Sequence, residues 1–366
     1  MAKPKGDELN QILSCYLNTI NDTLQLFEQS PPPTQTKLSW NDVLHMSDHL
    51  SKQATIVGML WTGGETPKAE SLKETMESYF NALQGFLLHC HGSLVAAKPT
   101  LSSSIQVSVK QIFNSSFKLL QGSVSLYEES YEKHKKPLIP QLTGAVWEAC
   151  SNLKKVPTTN IKAIGRAMTQ VAVSLQDVLR EMKELKPASC SSSSPEDDDD
   201  GATADSDDDD LGDDLSPEEL EVANMVADIV SETLTVVKEL IHVITGRIKM
   251  ENPKDDSEFV DWFEKLLKLC QGVGVEIDEL GACVYPPQEL SLMKETVERI
   301  RGYVGEIEDD VVKGLKNSSS SSSSSSSEAF LGTCRRLKSL IEHMVTEMET
   351  RIDAQVVVSK LQNVTL

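Results

Sequence analysis

Two short groups of histidine and cysteine are the residues of this chain most typical of metal ligands. His45 and His49 are four residues apart, so a helix would place both on one face. The residues between them do not include the glutamate that acts as general base in an HExxH metalloprotease. The run His89-Cys90-His91 also resembles a ligand set, but adjacent helical residues point about 100° apart and do not converge on one ion. We therefore interpret both groups as surface or partly packed side chains and predict no metal site.

The glycines and serines do not form the loops with which enzymes bind phosphates or hold nucleophiles. Gly272, Gly274 and Gly281 lack the GxGxxG spacing of a dinucleotide site, and the chain contains no GxSxG. The sequence therefore predicts no catalytic residue, no cofactor and a protein that is not an enzyme. A metalloenzyme built on His45 and His49 is the remote alternative.

An acidic segment, residues 188–215, is the first feature that suggests interactions. It holds twelve acidic residues and no Lys, Arg or aromatic residue. Its small apolar surface does not offset the entropy of ordering, so we predict a disordered linker. Ser194 precedes Pro-Glu-Asp and Ser206 precedes four aspartates, which suits an acid-directed kinase. Two interpretations are open: either these serines are phosphorylated, or the segment is an unmodified linker that keeps the protein soluble.

Arg335-Arg336-Leu337 matches the Arg-x-Leu pattern with which short extended segments dock on cyclins. Here the triplet falls at the start of a predicted amphipathic helix, in which Leu337 belongs to the apolar stripe. Arg335 and Leu337 are therefore either a docking pair or, as we favour, a surface charge and a core residue.

The most regular apolar pattern lies before the acidic segment and has spacings that alternate between three and four residues. Its members are Ile161, Ile164, Met168, Val171, Leu175, Val178, Met182 and Leu185. We name this set the seam. It predicts a helix that either forms a coiled coil with a partner or packs inside a helical bundle; we favour the bundle because the chain supplies several other apolar stripes.

The remaining pattern predicts an all-α protein without alternating strands or βαβ units. About six amphipathic helices precede the acidic segment and about four follow it. Ser216-Pro217-Glu218-Glu219 has the sequence of a capping box at the start of the first of these four. We expect a bundle over 1–187, the disordered linker at 188–215, and a second bundle over 216–366 with a serine loop at 318–327.

Charge and composition restrict the classes of partner that the chain is expected to bind. The net charge is −21, and an acidic carboxyl-terminal half disfavours direct nucleic-acid binding, which needs clustered cations. No apolar run approaches the roughly 18 residues of a membrane span, and the start of the chain has no apolar signal region. Seven dispersed cysteines without CxxC spacing are typical of reduced thiols in cytosol or nucleus. We therefore expect protein partners.

Two segments carry a resemblance to a known family. AVWEACSNLKKVPTTN (145–160), the acidic segment after it, and EIDELGACVYPPQEL (276–290) together resemble the cyclin-D-interacting, GCIP-like family, with serine runs similar to plant members. The resemblance implies that Trp147 and Tyr285 anchor the core and that Pro286-Pro287 sets a turn.

The resemblance also implies a function. It suggests two helical bundles that bind D-type cyclins and helix-loop-helix or other nuclear regulators, restraining the cell cycle in nucleus and cytoplasm. The seam is the nearest match to the zipper described for this family. A structural adaptor of cytoskeletal type is the alternative, since long helical bundles also build such proteins.

Overall fold

The computed structural model describes residues 3–29, 31, 36–62, 66–128, 138–185, 215–251, 257–316 and 324–364. Within these ranges the chain forms ten α-helices and no β-strand, which confirms the all-α prediction and the division into six helices and four. The helices are α1 Lys3–Glu28, α2 Trp40–Leu60, α3 Ala69–Ser93, α4 Pro99–Glu128, α5 Leu138–Leu153, α6 Asn160–Lys183, α7 Pro217–Glu251, α8 Ser257–Ala282, α9 Leu290–Lys316 and α10 Ser324–Val364.

The chain divides into two compact units, Met1–Ala163 and Ile164–Leu366. The boundary between the units therefore lies near the start of α6, whereas composition placed it at the acidic segment. The two criteria differ because composition marks where apolar residues are sparse, while the units are defined by which helices pack together. Most of α6 belongs to the second unit.

The helices of the first unit begin and pack as their local sequence predicts. Ser39 caps α2, because its side-chain oxygen accepts a hydrogen bond from the backbone N–H of Asn41 at 3.2 Å. One face of α2 is buried against α3 and α5. Between α3 and α4, the hydroxyl of Tyr79 donates to Ser116 Oγ at 2.9 Å, so the largest fully buried side chain of the core is also hydrogen-bonded.

In the second unit, α7 starts with the predicted capping box. The backbone N–H of Ser216 donates to the Glu219 carboxylate at 2.9 Å, and the backbone N–H of Glu219 donates to Ser216 Oγ at 3.2 Å. Helices α8, α9, α10 and α7 then pack as successive neighbours. Ion pairs join them at their surfaces: Arg299 to Glu276 between α9 and α8, and Arg336 to Glu232 between α10 and α7.

Two predicted segments, the serine loop and the acidic linker, differ from the prediction or lie outside the described residues. Helix α10 begins at Ser324, so the last four serines of 318–327 are helical rather than a loop, since a helix start tolerates serine and the apolar stripe follows at once. The rest of that run and most of the acidic segment lie outside the described residues. None of the helices described is long and apolar enough to cross a membrane.

Candidate functional site

The histidine and cysteine groups do not meet other ligands. His45 and His49 are both exposed on α2, and Cys90 is fully buried between two half-buried histidines. The Nδ1 atom of His89 lies 2.8 Å from the carbonyl oxygen of Gly85, four residues earlier on the same helix. Across the described ranges, no three His, Cys, Asp or Glu side chains form a group that could hold a metal ion.

The two short motifs are placed as follows. Leu337 is buried within α10, and Arg335 is exposed on the same helix. An extended peptide with both side chains accessible is therefore not what α10 presents at this triplet. The candidate phosphorylation sites Ser194 and Ser206 lie outside the described residues.

The seam is only partly buried. Ile164, Met168, Leu175 and Met182 are buried, whereas Ile161, Val171, Val178 and Leu185 are half-buried. The buried set of α6 is completed by small and apolar residues beside the seam, Ala163, Ala172 and Leu179. The buried face of α6 is thus wider than a two-position coiled-coil stripe, as is typical of a helix inside a bundle.

Two valines of the seam pack against glycines of α8. The Cγ1 atom of Val171 lies 3.5 Å from the position of a Cβ on Gly274, and that of Val178 lies 3.0 Å from a Cβ on Gly281. Val171 and Val178 are seven residues apart, and so are Gly274 and Gly281, so the two helices keep the same register over two turns. The missing side chains at Gly274 and Gly281 leave room for the side chains of Val171 and Val178. The heptad spacing of these glycines is the sequence signal that could have identified the helix that the two valines contact.

A cleft opens where this packing ends. It has a volume of about 340 Å³ and lies between the carboxyl-terminal ends of α6 and α8. Helix α6 contributes Val178, Glu181 and Met182; helix α8 contributes Asp278 and Ala282; and Tyr285 lies in the turn that follows α8. The cleft therefore brings two residues of the predicted seam together with Tyr285, one of the aromatic residues that carry the resemblance.

Tyr285 and Trp147 are not core anchors, contrary to the expectation from the resemblance. Tyr285 is 39% exposed and Trp147 is 47% exposed. On α5 the neighbouring Val146 and Cys150 occupy the buried face, so Trp147 points away from it, and its indole Nε1 donates to Thr55 Oγ1 at 3.1 Å. An aromatic side chain with a polar atom is stable at a surface, where it is available for contact with a partner.

The charged residues that line the cleft are both acidic. Glu181 and Asp278 are exposed, and within the described ranges no ion pair reaches either carboxylate. By contrast, Arg299 neutralises the other side of α8, where it lies 2.7 Å from both Glu276 and Glu279. The cleft therefore combines apolar side chains with uncompensated negative charge, which is suited to binding a positively charged amphipathic surface.

Cys283, beside the cleft, is not arranged as a nucleophile. Partial burial and the carboxylate of Glu279 raise the pKa of its thiol, so the thiol stays protonated near neutral pH. No general base is among the residues that line the cleft other than the two exposed carboxylates.

Two models of one protein family match the chain. Residues 42–188 match the family model described as Grap2 and cyclin-D-interacting, N-terminal, and residues 196–309 match its C-terminal counterpart. The chain belongs to the Grap2 and cyclin-D-interacting family. It is also similar to a Cyclin-D1-binding protein 1 homolog of Xenopus laevis, with 20% identity over 270 residues, which are 73% of this chain and 78% of that protein.

The two family models meet at the cleft. Val178, Glu181 and Met182 fall in the N-terminal match, and Asp278 and Tyr285 fall in the C-terminal match. In this member of the Grap2 and cyclin-D-interacting family, the cleft is thus assembled from both matched regions. A fragment that ends at the acidic segment would contain only half of it.

Proposed function

We propose that this protein binds D-type cyclins and acts by contact and not by catalysis. The observation that carries the proposal is the match of both halves of the chain to the Grap2 and cyclin-D-interacting family. A relative named for cyclin-D1 binding, aligned over most of both chains, supports the same partner. The exposed aromatic residues Trp147 and Tyr285 supply the kind of surface from which protein interfaces are built.

The mechanism that we propose is sequestration. A D-type cyclin held against a helix face of this protein is withheld from its productive complexes, so the protein would restrain cell-cycle progression. Helix-loop-helix or other nuclear regulators are proposed as further partners through the same mode of helix recognition. We propose that the protein is located in nucleus and cytoplasm, where cysteines are normally reduced and cyclins are present.

The test is direct binding between purified proteins. The full chain, immobilised at low density, should bind purified D-type cyclin saturably, while a mitotic cyclin of similar size serves as the control. The cyclin's kinase partner, added in excess, should compete with the full chain if sequestration is the mechanism. Absence of binding to every D-type cyclin tested, together with cosedimentation with cytoskeletal filaments, would favour the structural adaptor instead.

A further inference from the structure

We propose that the cleft between α6 and α8 receives one amphipathic helix of a protein partner, with apolar side chains in the cleft and Lys or Arg side chains at its rim. The identity of that partner as a D-type cyclin rests on the proposed function; the chemistry of the helix does not. The shape of the cleft, its charge and the occupants that this charge disfavours support the proposal.

The cleft has room for one row of side chains from an additional helix. Val171 and Val178 fill the spaces over Gly274 and Gly281, and beyond them α8 offers only small or exposed residues. Val275, which is 64% exposed, lies seven residues before Ala282 and therefore on the same side of α8. This row passes Asp278 and continues to Tyr285 in the turn after α8, so it spans about three turns, the length over which a docked helix presents its anchors.

The charge of the cleft selects a cationic helix. Glu181 and Asp278 stand on the two helices that form its walls, so a helix between them meets a carboxylate on each side. Both carboxylates are exposed, so water solvates them in the free protein without a cost in stability. Each carboxylate gains an ion pair when a cationic helix binds. A neutral or acidic helix would lack this complementarity.

The same charge disfavours two occupants that the protein could supply itself. The acidic segment 188–215 follows α6 closely in sequence, but its carboxylates would be repelled by Glu181 and Asp278, and it contains no aromatic residue. A second copy carries the same net charge of −21 and would be repelled as a whole. A separate cationic protein is the remaining occupant that the electrostatics favour.

Methionine methyl groups give a local readout of binding to the full chain. Met182 lines the cleft, and Met59, 64% exposed on α2 in the first unit, is the control. With ¹³C-methyl methionine, the Met182 resonance, assigned with Met182→Leu, should shift when purified D-type cyclin is added. Met59 should be unchanged. Binding of the cyclin that leaves the Met182 resonance unmoved would overturn the proposal.

Charge-reversal variants with a matched control test the rim. Glu181→Lys/Asp278→Lys should weaken binding of the cyclin by about tenfold or more, and Tyr285→Ala should weaken it too. Asp228→Lys/Asp353→Lys makes the same change in net charge at exposed positions of α7 and α10 and should leave the affinity within about twofold. Circular dichroism establishes that each variant is folded. Equal weakening by both double variants would reveal a general charge effect and overturn the cleft as the site.

A synthetic probe separates this proposal from the proposed function. A helical peptide of leucine and lysine, with its leucines on one face, should shift the Met182 resonance of the wild-type chain and not that of Glu181→Lys/Asp278→Lys. If no D-type cyclin binds but the peptide does so, the proposed function fails while the cleft stands. If the cyclin binds and the peptide leaves Met182 unchanged in the wild-type chain, the proposed function stands while the cleft fails.

Discussion

Val178 of α6 lies over Gly281 of α8 so closely that a Cβ on the glycine would be 3.0 Å from Val178 Cγ1. Val178 and Gly281 also line the cleft beside Tyr285. A side chain at position 281 must displace Val178, and with it the wall of the cleft.

Gly281→Leu is therefore expected to destabilise the second unit. An inserted side chain at a closely packed site typically costs about 1–3 kcal/mol, more than the ~0.5–1 kcal/mol that the loss of a helical glycine returns. Gly302→Leu on α9 is the matched control, since a Cβ there meets nothing within 4 Å. We expect a lower urea midpoint for Gly281→Leu and an unchanged or higher one for Gly302→Leu. Equal midpoints would show that α6 does not depend on this glycine.

Buried thiols predict a loss of stability at alkaline pH. Burial raises the pKa of Cys270 and Cys334 to about 12 from the ordinary 9.0. Between pH 9 and pH 12 the unfolded chain releases these protons while the folded chain keeps them, so the free energy of unfolding falls as the pH rises. The stability contributed is complete below pH 9 and falls by ~1.4 kcal/mol for each thiol and pH unit above it.

Urea unfolding at pH 7.5, 9 and 10 measures this effect. The wild-type midpoint should fall between pH 9 and pH 10. The double variant Cys270→Ala/Cys334→Ala should lose part of that decrease, because burial also raises the pKa of Cys90 and Cys150, which it retains. The double variant should be less stable than the wild type at every pH. Cys15→Ala, at an exposed position, should follow the wild-type pH dependence. A double variant with the full wild-type decrease would assign the alkaline loss to other groups.

The helices were predictable because their signals are local. The alternating pattern of the seam and the capping box at Ser216 act within one or two turns, and each lies on a helix where it was expected. The partner of a helix is set by distant residues instead. The seam predicted one helix of a bundle, but only the three-dimensional structure shows that Val171 and Val178 face Gly274 and Gly281.

Trp147 illustrates the same limit for the candidate site. Its size favours burial, and it directly follows Val146, which is buried. Adjacent residues on a helix point about 100° apart, so the stripe of Val146, Cys150 and Leu153 leaves Trp147 outside. Residue type alone does not distinguish a core anchor from an exposed contact residue, whereas the periodicity of its neighbours would have done so.

Trp61 and Trp147, two of the tryptophans of the first unit, provide a stability test of that distinction. Trp61→Ala removes a side chain that is only 7% exposed and should cost about 3–5 kcal/mol, the range for a buried aromatic residue. Trp147→Ala removes a half-exposed ring and its hydrogen bond to Thr55 and should cost about 1–1.5 kcal/mol. Chemical denaturation of both variants of the full chain measures the difference. If Trp147→Ala lowered the free energy of unfolding as much as Trp61→Ala does, Trp147 would be a core residue after all.

The acidic segment is expected to govern how fast a cationic partner arrives rather than how tightly it stays. It follows α6 in the chain and adds twelve acidic residues to those of the cleft, so it should increase the association rate at low salt. Deletion of 188–214, which keeps the buried Leu215, should lower the association rate of D-type cyclin by up to about tenfold at low ionic strength, with a dissociation rate within about twofold of the wild type. At high ionic strength the two chains should associate at similar rates.

Phosphorylation provides the opposite change in the same segment. Acid-directed phosphorylation at Ser194 and Ser206 would add about three to four negative charges and should raise the association rate above that of the unmodified chain at low salt. Phosphopeptide mapping from cells should first find Ser206 modified, and the double variant Ser194→Ala/Ser206→Ala should then lose the kinase-dependent increase. Because residues 188–214 add negative charge and no aromatic residue, a large change in dissociation rate after either treatment would instead mean that the segment itself touches the bound partner.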